Sequence, residues 1–147
     1  MFIRKATKEE TDTILDLSQK FVGESSMGYV KPSLRNISKE MFGPHLESGA
    51  AYYLLAEKKN TLLGWILVGV NIDPYSHEEV GCLLDIYVFP EYRKSGVAKK
   101  LMHEALDRLK QAHYKKVKCS IFSGNHSKAL CDQFGFKEVL TVFERPL

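Results

Sequence analysis

Several features that announce common protein functions are scarce or missing in this chain. Only three cysteines, Cys82, Cys119 and Cys131, occur in 147 residues, and none forms a C-x-x-C pair. That argues against a zinc ribbon and against a disulfide-built scaffold, and it predicts a reducing, cytoplasmic setting. The five histidines give no H-E-x-x-H; His77-Glu78-Glu79-Val80-Gly81 is only a near miss, so no metal site is predicted. No apolar run approaches the roughly twenty residues of a membrane span, and the N-terminus shows no signal-peptide pattern. Neither a G-x-x-x-x-G-K-[ST] loop nor a G-x-G-x-x-G turn after a strand is present, which weighs against a P-loop NTPase and a dinucleotide fold. The net charge is only +3, too small to argue for nucleic acid. Lys115-Lys116-Val117-Lys118 alternates as a strand with one solvated face does, and no aromatic stacking platform accompanies it. Repeats, low-complexity tracts and linkers are absent too.

What is present reads as one domain over residues 1–147, with 44% apolar and 27% charged residues placing it among globular proteins. A short strand is predicted over residues 1–6. Thr7-Lys8-Glu9-Glu10 then has the form of a capping box, opening a helix to about Val22 with Ile14, Leu17, Phe21 and Val22 on one face and Gly23 at its end. Between residues 24 and 49 the pattern is weakest: Ser33 is a candidate cap for a second helix, which Gly43-Pro44 would end or kink. Ala50 to Glu57 and Thr61 to Val70, separated by Lys58-Lys59-Asn60, predict a hairpin. Cys82 to Val88 predicts the central strand. Val97, Leu101, Ala105 and Leu109 repeat every fourth residue, as in a helix packed on a sheet. A strand over Val117 to Phe122, a short helix over 126–134 closed by Gly135, and a last strand from Phe136 to about Phe143 complete the reading. The fold class is α/β or α+β, a mixed sheet with helices on both faces.

The most informative stretch runs from Leu83 to Ala98. An apolar strand reaches a turn at Pro90, and a loop of small residues opens directly into the next helix. Free backbone N–H groups and the positive end of a helix dipole meet there, an arrangement suited to a diphosphate. Gly96 and Ala98 let the backbone approach a ligand closely, no acidic residue follows Tyr92 until Glu104, and Lys94, Lys99 and Lys100 add positive charge. Successive N–H groups in such a loop make an anion-binding concavity.

Val88, Pro90, Arg93, Gly96 and Ala98 fall in register with V-x-P-x-x-[RQ]-x-x-G-x-[GA], and the segment resembles motif A of the GNAT superfamily of N-acetyltransferases. Phe2-Ile3-Arg4-Lys5-Ala6-Thr7 is similar to the family's opening. Asn125 to Cys131, closing with Phe134-Gly135-Phe136, is similar to its second cofactor-binding helix. The likeness spans most of the chain and is poorest between Gly23 and Gly49, the region that covers the acceptor in the family.

The resemblance implies a mostly antiparallel central sheet, acetyl-CoA as cofactor, and transfer of its acetyl group to an amine by direct attack. It implies main-chain contacts to the pantetheine arm from Ile86, Tyr87 and Val88, with the Val88 N–H as oxyanion donor. Arg93, Lys94, Ser95, Gly96, Val97 and Ala98 would hold the pyrophosphate, mostly through main-chain N–H groups. Lys94 or Lys99 would reach the nucleotide's other phosphate. Asn125 fits either a helix cap or a pantetheine contact. Asp85 stands where members that acetylate polyamines or amino sugars often carry an acid. It is a candidate for binding a cationic acceptor or taking its proton, or else a structural carboxylate turned away from the site. Glu78 and Glu79 are weaker candidates.

Many GNAT enzymes place a tyrosine four residues before the glycine of the closing G-F pair, to protonate the departing thiolate. Cys131 stands there instead, either as a weaker donor or as a small buried hydrophobe. Tyr87, Tyr92, His126 or water are the alternatives. That departure keeps a second class of function open: an acyl-CoA-binding regulatory module with little or no turnover. The acceptor is not legible. Related enzymes are often dimers, and a homodimer is entertained on that ground alone.

Overall fold

A computed structural model of the protein describes residues 1–31 and 35–147. The chain runs β1 (Phe2–Lys5), α1 (Lys8–Ser25), α2 (Ile37–Ser48), β2 (Ala51–Lys58), β3 (Thr61–Ile72), β4 (Glu79–Val88), α3 (Val97–Gln111), β5 (Val117–Cys119) and α4 (Ser127–Gln133). Five strands form one sheet in the order β1-β2-β3-β4-β5. The first four are antiparallel neighbours and β5 joins β4 in parallel. The expected mixed, mostly antiparallel sheet is therefore present, with helices on both faces.

Each face has its own core. On one side α3 lays down Val97, Leu101, Met102, Ala105 and Leu109 against Leu54, Ile66, Val68, Leu83 and Val88, joined by Cys131 of α4. The four-residue repeat in the sequence lies wholly within this interface. On the other side α1 contributes Ile14, Leu17 and Phe21, and α2 contributes Phe42 and Leu46, against Tyr53, Leu55, Trp65, Leu67 and Tyr87. Phe21 stacks on Tyr87 with ring centroids 4.6 Å apart.

Local chemistry explains the element ends. The Thr7 hydroxyl accepts from the Glu10 N–H at 3.2 Å, and the Glu10 carboxylate accepts from the Thr7 N–H at 2.9 Å, so the capping box forms. Lys59 and Asn60 both adopt positive φ, +50° and +62°, the two-residue turn whose twist suits a hairpin.

Other expectations are corrected. The first helix continues through Gly23 to Ser25, because Glu24 and Ser25 are still in helical register and the chain turns only at Met27 and Gly28, φ +57° and +81°. Ser33 lies outside the described residues; Asn36 caps α2, its side chain accepting from the Lys39 N–H at 3.0 Å. Nor does Gly43-Pro44 end that helix, which runs on to Ser48. The residue before a proline is disfavoured in a helix partly through its Cβ, and here that residue is a glycine.

The strand expected over Val117–Phe122 pairs only through Cys119, opposite Gly81–Leu83. The strand expected from Phe136 to Phe143 does not form: residues 136–147 pair with no strand among the described residues.

Candidate active site

The early end of β5 shapes the site. Beyond Leu83, β4 has β3 on one side and, among the described residues, no strand on the other. Phe89 donates its N–H to Leu63 C=O at 3.1 Å, and main-chain groups alternate sides along a strand. Those of Tyr87 therefore face β3, while those of Ile86 and Val88 face the gap. Of the three residues expected to offer backbone contacts there, Tyr87 is the one turned away. Its side chain joins the core with Phe21 and Trp65, and its hydroxyl is directed to Glu24 at 3.4 Å.

The loop after β4 ends in a nest of unpaired donors. Pro90–Tyr92 make one tight turn, and the Arg93 N–H returns to Pro90 C=O at 3.3 Å. The first main-chain bond of α3 is donated by Lys100, to Gly96 C=O at 3.1 Å. Between them, Lys94, Ser95, Gly96, Val97, Ala98 and Lys99 have N–H groups with no main-chain or side-chain acceptor among the described residues. Gly96 makes this possible by sitting at φ +87°, where a side chain would be strained. Six converging N–H groups, the N-terminus of a fifteen-residue helix and neighbouring lysines fit a diphosphate.

Arg93 departs from its expected place at the phosphates. Its Nε donates to Val88 C=O at 2.8 Å and its Nη2 pairs with Glu24 at 2.7 Å, while its guanidinium lies 5.3 Å from the centre of the Tyr87 ring. The Arg93 side chain thus braces the end of β4 against α1. Glu24, the acid that holds it, carried no signal in the sequence.

The other wall of the candidate site is built from side chains. Register between β3 and β4 shifts at Leu67/Val68, whose partners are Asp85 and Leu83, so Leu84 is an extra residue in β4. A bulge of this kind re-aims side chains. Leu83 and Ile86 belong to the α3 core, whereas Leu84 joins the α1–α2 core. Asp85 follows it to that side: Trp65 Nε1 donates to Asp85 Oδ2 at 3.0 Å, and Ser18 Oγ of α1 donates to the same oxygen at 3.1 Å. Ser38 Oγ of α2 lies 3.2 Å from Ser18 Oγ. Burial pushes the Asp85 carboxyl above the usual carboxylate range, opposed by hydrogen bonds from Trp65, Ser18 and the Ile86 N–H. Nearby, the Tyr53 hydroxyl is buried without a partner, and desolvation raises its pKa, with the Asp85 charge adding to the rise.

A cleft of about 480 Å³ lies beside Asp85, with Ser18, Ser38, Asp85, Ile86, Asn125 and Cys131 among its lining residues. Of the four residues considered as proton donors to a leaving thiolate, only Cys131 lines it. Cys131 is buried with its Sγ 3.6 Å from Cys119 Sγ, and burial raises the pKa of both thiols, that of Cys119 to about 12. Asn125 acts as a tie: its Oδ1 accepts from the Ser127 N–H and its Nδ2 donates to Ser25 C=O, both at 2.8 Å. Glu78 and Glu79 are exposed at the far end of β4, with Glu78 near Lys116 at 3.9 Å. Asp73 is held by the Tyr75 N–H, Lys118 and Ser76, which lower its pKa to about 2. No group of three or more potential metal ligands occurs among the described residues, and no described helix is long and apolar enough to cross a membrane.

Comparison with known proteins gives three findings. Residues 15–136 match the acetyltransferase (GNAT) family. No curated protein sequence matches the chain. Solved structures share the fold from end to end. A protein described as an acetyl transferase from Pyrococcus furiosus superposes with a TM-score of 0.82 at 20% identity, covering 99% of both chains. An aminoglycoside 6'-N-acetyltransferase from Acinetobacter haemolyticus does so at 0.71 and 23%, covering 100% of this chain and 99% of that one. An acetyltransferase from Clostridium acetobutylicum, solved with acetyl-CoA, gives 0.77 and 16%, covering 99% and 95%.

Proposed function

Because the chain belongs to the acetyltransferase (GNAT) family, whose members use acetyl-CoA, we propose that it transfers the acetyl group to a primary amine of a small molecule or protein by direct attack. The observation that carries this reading is Asp85, held by Trp65 and Ser18 on the wall of the cleft, beside the stretch of β4 that β5 leaves unpaired. Acetyl-CoA supplies the acetyl group as an activated thioester. The residues present suit it: the N–H groups of Lys94–Lys99 for the diphosphate, and the Ile86 C=O and Val88 N–H, which face the gap, for an extended amide-bearing arm lying along it.

An alkyl amine with a pKa of about 10.4 is only about 0.04% neutral at pH 7, a handicap of roughly 4–5 kcal/mol. Asp85 removes that proton, directly or through Ser18, and its raised pKa suits it better to the task than an ordinary surface carboxylate. Trp65 and Ser18 fix the carboxylate's direction. The Val88 N–H stabilises charge developing on the carbonyl oxygen under attack. A departing thiolate with a pKa of about 8.5 needs little help at neutral pH, and Cys131 acts in packing against Cys119.

A thiol-release assay with acetyl-CoA across a panel of polyamines, amino sugars and amino-terminal peptides tests this reading. Turnover of at least one cationic amine is expected. Tight acetyl-CoA binding with no turnover of any amine would instead favour the regulatory-module reading, for which the cysteine in place of the family's tyrosine is the supporting feature.

A further inference from the structure

We propose that Cys119 and Cys131 form an oxidation site: hydrogen peroxide joins them in a disulfide that weakens acetyl-CoA binding, and a dithiol reverses the change.

The two thiols meet because two elements converge at the end of β5. Cys119 is the last residue of that strand and Cys131 stands on α4, twelve positions apart in sequence with their Sγ atoms 3.6 Å from each other. A disulfide bond is about 2.05 Å long, so a short approach of one sulfur to the other closes it. Both cysteines are free thiols. Both also line the cleft, which gives a molecule as small as peroxide a path to them.

The third cysteine does not compete. In the register of β4 with β5, Cys119 lies opposite Leu83 and Lys118 opposite Cys82. Successive side chains of a strand alternate between faces. Cys119 therefore shares the α3 face with Leu83, and Cys82 is turned to the other face with Lys118.

The thiolate is the attacking form of a cysteine. Burial raises the Cys131 pKa, but the Cys119 thiol bonded to it opposes the rise, whereas burial and the neighbouring thiols push Cys119 up to about 12. Cys131 accordingly reacts first. Its sulfur attacks one peroxide oxygen: an S–O bond forms, the O–O bond breaks, and the departing hydroxide takes the proton that Cys131 released and leaves as water. The sulfenic acid so made condenses with the adjacent thiol. Cys119 sulfur attacks Cys131 sulfur, the S–S bond forms, the S–O bond breaks, and the second hydroxide leaves as water with the Cys119 proton. Two sulfurs are oxidised and one peroxide is reduced to two waters. Burial slows the first step, while contact speeds the second, which is intramolecular.

The new bond falls where the gap beside β4 opens. Leu83, the partner of Cys119, is the last residue of β4 that β5 covers, and the Ile86 C=O and Val88 N–H follow just beyond it. Closing Cys131 onto Cys119 draws α4 towards β5 at this end of the cleft, against the space for the extended arm of acetyl-CoA. That consequence rests on the placement of acetyl-CoA proposed above; the disulfide itself does not.

Treatment of the reduced protein with millimolar hydrogen peroxide tests the proposal. The count of free thiols should fall from three to one, the intact mass should drop by two hydrogens, and peptide mapping should join Cys119 to Cys131. Calorimetry should then show acetyl-CoA binding roughly tenfold weaker or more, restored by dithiothreitol. Cys82→Ser should respond as the wild type does, and Cys119→Ser should keep the same acetyl-CoA affinity before and after peroxide. Three thiols surviving the treatment overturn the proposal, as does a disulfide that includes Cys82. A mapped Cys119–Cys131 bond with acetyl-CoA affinity unchanged overturns it too. Failure of the reduced protein to bind acetyl-CoA would refute the functional reading instead, and the thiol count would still decide whether the disulfide forms.

Discussion

The candidate site has two walls, and they are made from different parts of the polypeptide. The loop from Lys94 to Lys99 is contiguous and offers main-chain N–H groups. The wall around Asp85 is assembled from side chains of α1, α2, β3 and β4, and its contacts join residues 20 and 67 positions apart in sequence. A main-chain site tolerates changes of side chain so long as the backbone keeps its shape. A side-chain site does not, since each member holds the next.

That contrast orders the effects of substitution. The largest is expected from Asp85→Asn: loss of the base should lower kcat/KM for an amine by about 10²–10⁴, with acetyl-CoA affinity by calorimetry kept within about threefold. A parallel loss of cofactor binding would break the division between the walls. Next comes Gly96→Val. A side chain at φ +87° costs about 1–2 kcal/mol or more, and the displaced loop should bind acetyl-CoA roughly tenfold or more weakly, read by the same titration.

The third test is one of linkage. Asp85 has a folded pKa above its unfolded value, so the native state holds the proton more tightly there. Its contribution to stability is fully present below the unfolded pKa and is lost as pH rises through the folded one. Melting curves of wild type and Asp85→Asn from pH 4 to 8 should therefore shift in favour of the variant as pH rises. A constant difference would contradict a carboxyl whose burial outweighs its hydrogen bonds. The smallest effects are expected for Lys94→Ala and Cys131→Ala, each changing kcat/KM less than about threefold in the thiol-release assay. A hundredfold loss in Cys131→Ala would make that thiol the proton donor after all.

The same contrast governs what the sequence revealed. The loop proposed to hold the diphosphate has a backbone that was legible because its parts are neighbours: strand, turn, Gly96, helix. So were the capping box at Thr7 and Glu10, the Lys59-Asn60 turn, and the stripe from Val97 to Leu109, each fixed by local spacing. The direction of Asp85 was not legible, because alternation counted on from Leu83 and counted back from Tyr87 put it on opposite sides, and only pairing with β3 shows that Leu84 is the extra residue. Trp65, Ser18 and Ser38 carry no mark of their role until three elements bring them together. Arg93 matches the motif in sequence, yet Glu24, 69 positions away, decides where its side chain goes. The apolar pattern of the last residues suggested a strand over Phe136–Phe143, and the structure has none there, because alternating apolar residues mark a strand only where a neighbouring strand pairs with them.

Amide hydrogen exchange over residues 94–99, with and without acetyl-CoA, tests the central claim most directly. If main-chain N–H groups hold the diphosphate, exchange at Ser95–Lys99 slows at least tenfold on binding, and slows equally in Lys94→Ala. Binding seen by calorimetry while these amides exchange at unchanged rates would contradict the account.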